Sequence, residues 1–187
     1  VTLDLAGCSD GELAALALAG RQSAYGELMR RHREPVYRLV RGYVGDADAA
    51  LDVTQQSFIA AFSALARYDG TRPFRVWMAR IAINKCHDWM RRRAVRRLFS
   101  FALPIDAASN VADEAATPEG LLSDRQQLLR TMTAIAALPG SLKEPLILRT
   151  IEGLSQAETA LVLGISEKAV ETRVYRARTK LAESLRD

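Results

Sequence analysis

The stretch from Ile151 to Leu185 reads IEGLSQAETALVLGISEKAVETRVYRARTKLAESL, and it spells two helix starts separated by one turn. Ser155 precedes Glu158 by three residues, the spacing of a capping box that satisfies free N–H groups at a helix start. The short helix so begun stops at Leu163-Gly164-Ile165, because Gly164 suits the left-handed conformation of a tight turn. Ser166 caps a second helix, in which Val170, Val174, Ala177, Leu181 and Leu185 recur on one face. At about 100° per residue, Lys168, Thr172, Tyr175 and Thr179 fall roughly opposite, with Arg176 at the flank. A short polar helix with long donors on its outer face suits a major groove. On these residues alone, an ordinary helical hairpin with a solvated face remains the alternative.

Working outward, 187 residues allow one domain or two small ones. A hydrophobic content of 49% with 26% charged residues marks a folded, soluble chain. The net charge of +4 matters less than its distribution. From Arg75 to Arg97 there are eight basic residues and one acid, Asp88; from Leu98 to Asp124 there are five acids and no base. That segregation suggests a polyanion-binding surface beside an acidic tether. Cys8 and Cys86 are far apart without paired spacing, so reduced thiols in a cytoplasm are the simpler reading. Two Cys and two His at scattered positions argue against a structural zinc site. No apolar run reaches spanning length and no signal segment opens the chain, so no membrane insertion and a cytoplasmic location are expected.

In chain order, Ser9-Asp10 caps a helix to about Ala19, and Gly20 ends it. A longer helix starts at Ser23 with Tyr25, Leu28, Met29, Val36, Leu39, Val40 and Tyr43 inward, and Pro35 is expected to kink or interrupt it. His32 is a surface or boundary residue without catalytic company. After Gly45-Asp46, a helix carries Leu51, Phe58, Phe62 and Leu65 as its buried stripe, with Asp52, Gln55 and Gln56 as polar residues in its middle. Residues 67–73, RYDGTRP, form a loop by composition. Residues 74–97, FRVWMARIAINKCHDWMRRRAVRR, place Phe74, Trp77, Met78, Ile81 and Ala82 on a core face. Arg75, Arg80, Asn84, Lys85, Arg91, Arg92 and Arg93 remain for solvent or a partner. Aromatics, an amide and arginines on one helix suit nucleic acid, while core aromatics with a solvated basic face are the alternative. Residues 98–124 lose helical periodicity and read as an acidic, flexible linker. Helical pattern resumes at 128–138 and again at 142–151, where Leu146, Ile147 and Ile151 point inward. No strand alternation is present, so the fold class is all-α: two small helical domains, 1–97 and 125–187, joined by the linker.

FRVWMARIAINKCHDWMRRR followed by LRTIEGLSQAETALVLGISEKAVETRVYRARTKL, in that order across an acidic linker, resembles the bacterial RNA polymerase sigma factors. The compact two-domain length is that of their extracytoplasmic-function (ECF) group, and the match spans about 10–95 and 125–185. The resemblance implies a sigma2-like helical bundle and a sigma4-like helix-turn-helix domain. LDVTQQSF is similar to the family's polymerase-binding signature, which puts Asp52, Gln55 and Gln56 toward a coiled coil of the polymerase β′ subunit; the family commonly has an acid at the position of Gln56. The loop before Phe74 and the helix after it correspond to the part that opens and reads the −10 element. Arg67, Tyr68, Arg72, Arg75, Arg80, Asn84, Arg91, Arg92 and Arg93 are its implied residues, whereas Cys86-His87 are not signature residues. The last helix corresponds to the reader of the −35 element, through Ser166, Lys168, Thr172, Arg173 and Arg176. An anti-sigma factor is the further partner that the family implies, and the linker is expected to run through the polymerase's RNA path.

Promoter opening requires neither a nucleophile nor a metal. It requires a pocket that rewards an unstacked base, offsetting the few kcal/mol that unstacking costs. The chain shows no Gly-rich phosphate loop, His-carboxylate pair or nucleophile elbow. No catalytic residue, metal or cofactor is therefore expected. Two alternatives act without promoter opening. A sigma-like protein that only binds an anti-sigma factor need not keep the basic and −10-reading positions, which here are filled. A freestanding helix-turn-helix regulator does not account for the signature of the N-terminal half.

Overall fold

The computed structural model describes residues 4–100 and 119–186, with side chains over 4–97 and 126–186. Four helices start where a short polar side chain takes up a free N–H. Ser9 caps α1 (Asp10–Leu18) in a reciprocal box with Glu12, and Asp46 caps α3 (Ala47–Ser63). Ser155 and Glu158 box α7 (Gln156–Leu163), and Ser166 caps α8 (Glu167–Ser184). Gly45 ends α2 (Gln22–Val44) at φ 80°, and Gly164 ends α7 at φ 65°, the left-handed region that costs glycine little. At Gly45 a β-carbon would also come within 2.8 Å of the Ala136 Cβ, so two elements require the same glycine. The remaining helices are α4 (Phe74–Ser100), α5 (Glu119–Ala137) and α6 (Gly140–Thr150), with 3-10 turns at Leu5–Gly7 and Leu65–Arg67. Among the described residues there is no strand, and the fold is all-α. Helix α4 reaches Ser100 and α5 begins at Glu119; the intervening residues of the expected linker lie outside the described ones.

Helices α1 to α4 pack around Leu13, Leu28, Leu39, Val53, Phe74 and Met78, each at most 1% exposed. Burying a side chain of this size is worth roughly 1.5–3 kcal/mol, so this cluster outweighs any surface ion pair. It also holds α2 continuous through Pro35, where a kink or an interruption was expected and there is no interruption: Leu28 before the proline and Val36, Leu39 and Val40 after it are all buried. Three apolar residues expected to point inward do not. Met29 and Leu51 are 40% and 51% exposed because they face a groove between α2 and α3, and Leu185 is exposed because α8 ends at Ser184. His32 sits at the boundary as expected, with Asp10 Oδ2 2.8 Å from its Nε2.

The C-terminal half docks on α2 and α4. Ile147, Leu148, Leu154 and Val162 join the N-terminal core, while Leu138, Leu146 and Ala177 form a smaller cluster tying α5, α6 and α8 together. Along α4, Arg75, Ala79, Ile83 and His87 recur every fourth residue as one ridge. Its two ends make polar bonds to the C-terminal half: Arg75 to Glu158 at 2.7 Å, and His87 to Glu144 at 2.7 Å. Glu144 also accepts from the Tyr43 hydroxyl at 3.2 Å. Lys143 is 2% exposed, its ammonium 4.8 Å from the Tyr43 ring centre and donating to the carbonyls of Tyr43 and Ala136. A buried cation is tolerated when its donors are used, and these carbonyls come from both halves of the chain.

One seam residue is less well served. Glu152 Oε1 is buried without a hydrogen-bond partner, and burial pushes its carboxyl up from 4.5 to about 7, with Arg38 opposing. An acid whose pKa rises on folding makes the folded chain hold its proton longer. Its contribution is therefore unfavourable above about 7 and relaxes as pH falls toward 4.5. Urea unfolding at several pH values should show stability falling between about 4.5 and 7 for wild type, and a shallower fall for Glu152→Gln. An unchanged slope in that variant would remove Glu152 from the account.

Candidate nucleic-acid interface

Helix α4 buries Phe74, Met78, Ala79, Ala82, Ile83 and Cys86, which cover rather more than half its circumference near the middle. The uncovered arc presents Arg80, Asn84 and Arg91, all exposed and within roughly 40° of one another around the axis. These three expected residues fall on one side of the helix, Arg91 paired with Asp88 one turn earlier. Arg92 turns from them toward α3, where it donates to Gln56 at 3.1 Å, and Arg93 lies over the Trp89 ring at 5.1 Å. Arg75 points the other way, into its bond with Glu158. Cys86 is fully buried and desolvation pushes its thiol up, which disfavours thiolate chemistry.

The loop ahead of α4 is wound on itself. Tyr68 is half-buried, its ring 5.2 Å from both Phe74 and Trp77, and its hydroxyl donates to the Arg72 carbonyl. Asp69 accepts from the Thr71 amide at 3.1 Å and hydroxyl at 2.6 Å and pairs with Arg72 at 3.1 Å. The Thr71 bonds hold the Asp69 carboxyl below its ordinary range. Arg67 and Arg72 stay exposed at the two ends of this turn, beside the Phe74–Trp77 aromatic pair.

On α8, Val170 and Ala177 are buried and the opposite arc is open. Lys168 and Arg176 are exposed, Thr172 is half-exposed with its hydroxyl on the Lys168 carbonyl at 2.9 Å, and Arg173 is half-buried at the flank. The Ser166 hydroxyl is occupied as the cap, accepting from the Ala169 amide at 3.2 Å. Tyr175, 73% exposed, stands beside Thr172 and Arg178 over a hollow of about 450 Å³ that Arg149 and Gln156 help to line. Tyr175 was legible as an outer-face residue; Arg149 and Gln156 belong to other helices, and no spacing in the chain connects them.

A third surface lies between α2 and α3. Asp52 and Gln55 border a groove of about 560 Å³ together with Met29, Tyr37, Leu51 and Ile59. Leu51 and Ile59 are 51% and 59% exposed at four residues before and after Gln55, an apolar ridge that was read as core or passed over. Gln56 lines a separate hollow with Lys85, Asp88, Arg91 and Arg92. Among the described residues no group of three His, Cys, Asp or Glu side chains is placed to hold a metal, and no helix is long and apolar enough to cross a membrane.

Comparison with known proteins places this geometry in context. The family model of Sigma-70 region 2 matches residues 28–96, and that of Sigma-70 region 4 matches residues 128–181. The RNA polymerase sigma factor CnrH of Cupriavidus metallidurans is 39% identical over 95% of this chain and 94% of its own. The ECF RNA polymerase sigma factor SigE of Mycolicibacterium smegmatis is 34% identical over 92% of this chain and 66% of its own. The solved structure of CnrH in complex with the cytosolic domain of CnrY superposes with a TM-score of 0.69, covering 94% of this chain and 96% of that one at 34% identity. The sigma factor RpoE of Bartonella quintana, solved with the anti-sigma factor NepR, shares the fold at a TM-score of 0.68 and 19% identity, over 87% and 96% of the two chains.

The caps and the seam pair should separate in a stability measurement. Although desolvation pushes it up, the Ser155 amide and the Arg75 guanidinium hold the Glu158 carboxyl below its ordinary range. Arg75 is half exposed, so Arg75→Ala should cost no more than about 1 kcal/mol. Ser155→Ala removes one half of a capping box and should cost about 1 kcal/mol or more, up to roughly 2. Denaturant midpoints of the two variants test this order, and a larger loss for Arg75→Ala would contradict it.

Proposed function

The chain belongs to the ECF group of RNA polymerase sigma factors, and from that premise we propose how its three exposed surfaces divide the work of directing core polymerase to promoters. The open face of α4, with Arg80, Asn84 and Arg91, and the loop from Arg67 to Arg72 take the −10 element as it opens. The outer arc of α8 takes the −35 element as duplex. The α2–α3 groove takes the β′ coiled coil. The observation that carries the reading is the arrangement on α4: one side is desolvated in the core, and the other carries donors from Arg80, toward the aromatic-flanked loop at the helix start, to Arg91 near its far end. Arginines hold phosphates through charge and make binding salt-dependent, while the loop offers polar groups and an aromatic wall to a base leaving the stack.

In this reading Tyr68 shapes the loop more than it stacks on a base, since its ring and hydroxyl are already engaged. Arg75 reaches DNA only after leaving Glu158, and a half-exposed pair of this kind holds it by no more than about 1 kcal/mol. The polymerase groove depends on shape and apolar contact as much as on charge. Leu51 and Ile59 flank the expected Asp52 and Gln55, and Gln56 contributes by fixing Arg92. Catalytic chemistry has no part in this work, which takes place in the cytoplasm with the polymerase. A protein partner of the anti-sigma kind controls it, covering faces that would otherwise engage polymerase continuously. The complex of the related CnrH with the cytosolic domain of CnrY supports that expectation.

Two experiments test the division. Asp52→Arg with Gln55→Ala should impair association with core polymerase in a competition assay while the helical circular-dichroism signal is retained; undiminished holoenzyme formation would remove the groove from the interface. Alanine at Lys168, Thr172 or Arg176 should weaken binding to a −35 duplex by roughly 1–3 kcal/mol wherever a base-specific contact is cut. Uniform losses on matched and scrambled duplexes would reassign those residues to phosphate contact.

A further inference from the structure

Helix α1 meets the −10 loop backbone to backbone. A β-carbon on Gly11 would lie 2.8 Å from the Gly70 carbonyl oxygen and 3.5 Å from the Gly70 carbonyl carbon and Cα. The obstacle is main chain, not the free end of a flexible side chain, so either α1 or the loop must move to admit it. A glycine in the first turn of a helix is a poor choice for helix propensity, and here close approach accounts for it. The reverse contact is looser: a β-carbon on Gly70 would meet only the Gly11 Cα, at 3.6 Å.

The turn that carries Gly11 is itself clamped. Asp10 lies 2.8 Å from His32 Nε2 and 3.2 Å from the Arg31 guanidinium. Arg31 also bonds Glu27 at 2.8 Å and the carbonyls of Leu5, Ala6 and Cys8 at 3.0, 2.8 and 2.7 Å. The His32 ring is 4.8 Å from Phe74, which in turn is 5.2 Å from Tyr68. The loop is thus held from two sides, by the aromatic contacts at Tyr68 and by the α1 backbone at Gly70. Its outward side chains, Asp69, Thr71 and Arg72, bond to one another and are otherwise exposed.

We propose that Gly11 is a positioning residue for promoter opening. The first turn of α1, pinned by Asp10 to Arg31 and His32, is the abutment that sets where Gly70 and the neighbouring loop residues stand when an unpaired −10 base arrives. The inference rests on the reading of residues 67–72 as part of the −10 pocket. A displacement on the order of 1 Å at a site that works by geometry costs on the order of 100-fold. The effect of a single methyl group here should therefore be large in opening and absent elsewhere.

The test uses the full chain assembled with core polymerase. Gly11→Ala should lower open-complex formation on a duplex promoter by about 10-fold or more. It should also relax discrimination among −10 bases on a pre-melted template, with core binding and −35 duplex affinity at wild-type level. Asp10→Ala should follow Gly11→Ala in direction, and it carries the test if Gly11→Ala does not fold. Tyr68→Ala reports on the loop reading itself. If Tyr68→Ala impairs opening while Gly11→Ala and Asp10→Ala do not, the positioning role is overturned and the loop reading stands. If none of the three impairs opening, the loop reading fails as well. Losses of core binding and −35 affinity in step with opening would mean a general folding defect and would also overturn the proposal.

Discussion

Desolvation of one side of α4 is the constraint on which the rest of this structure hangs. Phe74, Met78, Ala82 and Cys86 must be covered, and α2 and α3 cover them. The adjacent ridge, with Ala79 and Ile83 at its centre, lies in the same buried cluster as Ile147, Leu148, Leu154 and Val162 of the C-terminal half. What is left over is the donor row of Arg80, Asn84 and Arg91. The N-terminal end of that row lies toward the loop that α1 supports.

The polar interactions across the seam are of two kinds, and their magnitudes separate them. Arg75–Glu158 and His87–Glu144 are partly solvated pairs that add little to stability and part easily. Lys143 is different, since removing it would leave the carbonyls of Tyr43 and Ala136 short of a donor inside the protein. Glu152 works against the seam near neutral pH. The halves are therefore held chiefly by apolar burial and by one well-served cation, with weaker, partly solvated polar pairs along the edge. Such a seam lets Arg75 leave Glu158 at small cost.

Much of the fold was legible in the chain because its helix ends are written in short polar residues and glycines. Ser9, Asp46, Ser155 and Ser166 cap where their spacing to the following turn predicts, and Gly45 and Gly164 terminate. The outer arc of α8 was equally readable, since helical periodicity alone separates Lys168 and Thr172 from Val170 and Ala177. Contacts between distant segments were not. Arg75 and Glu158 are separated by 83 residues, and nothing in either local pattern connects them. Leu51 and Met29 were read as core because hydropathy reports only that a side chain avoids water. It does not distinguish burial within the chain from an apolar groove left for a partner. Pro35 was read as a kink or a break from its local cost, and the buried residues on both sides of it keep the helix unbroken.

The central claim is that opening belongs to α4 and its loop, and duplex reading to α8. Permanganate footprinting and transcription on two templates, one fully duplex and one with the −10 region already unpaired, test it most directly. Substitutions at Asn84 and Arg72 should hurt the duplex promoter most and recover in part on the unpaired template, because the melting cost has been removed. Substitutions at Lys168 and Arg176 should show no such specific recovery. Equal rescue of the two groups would contradict the assignment of opening to the N-terminal half.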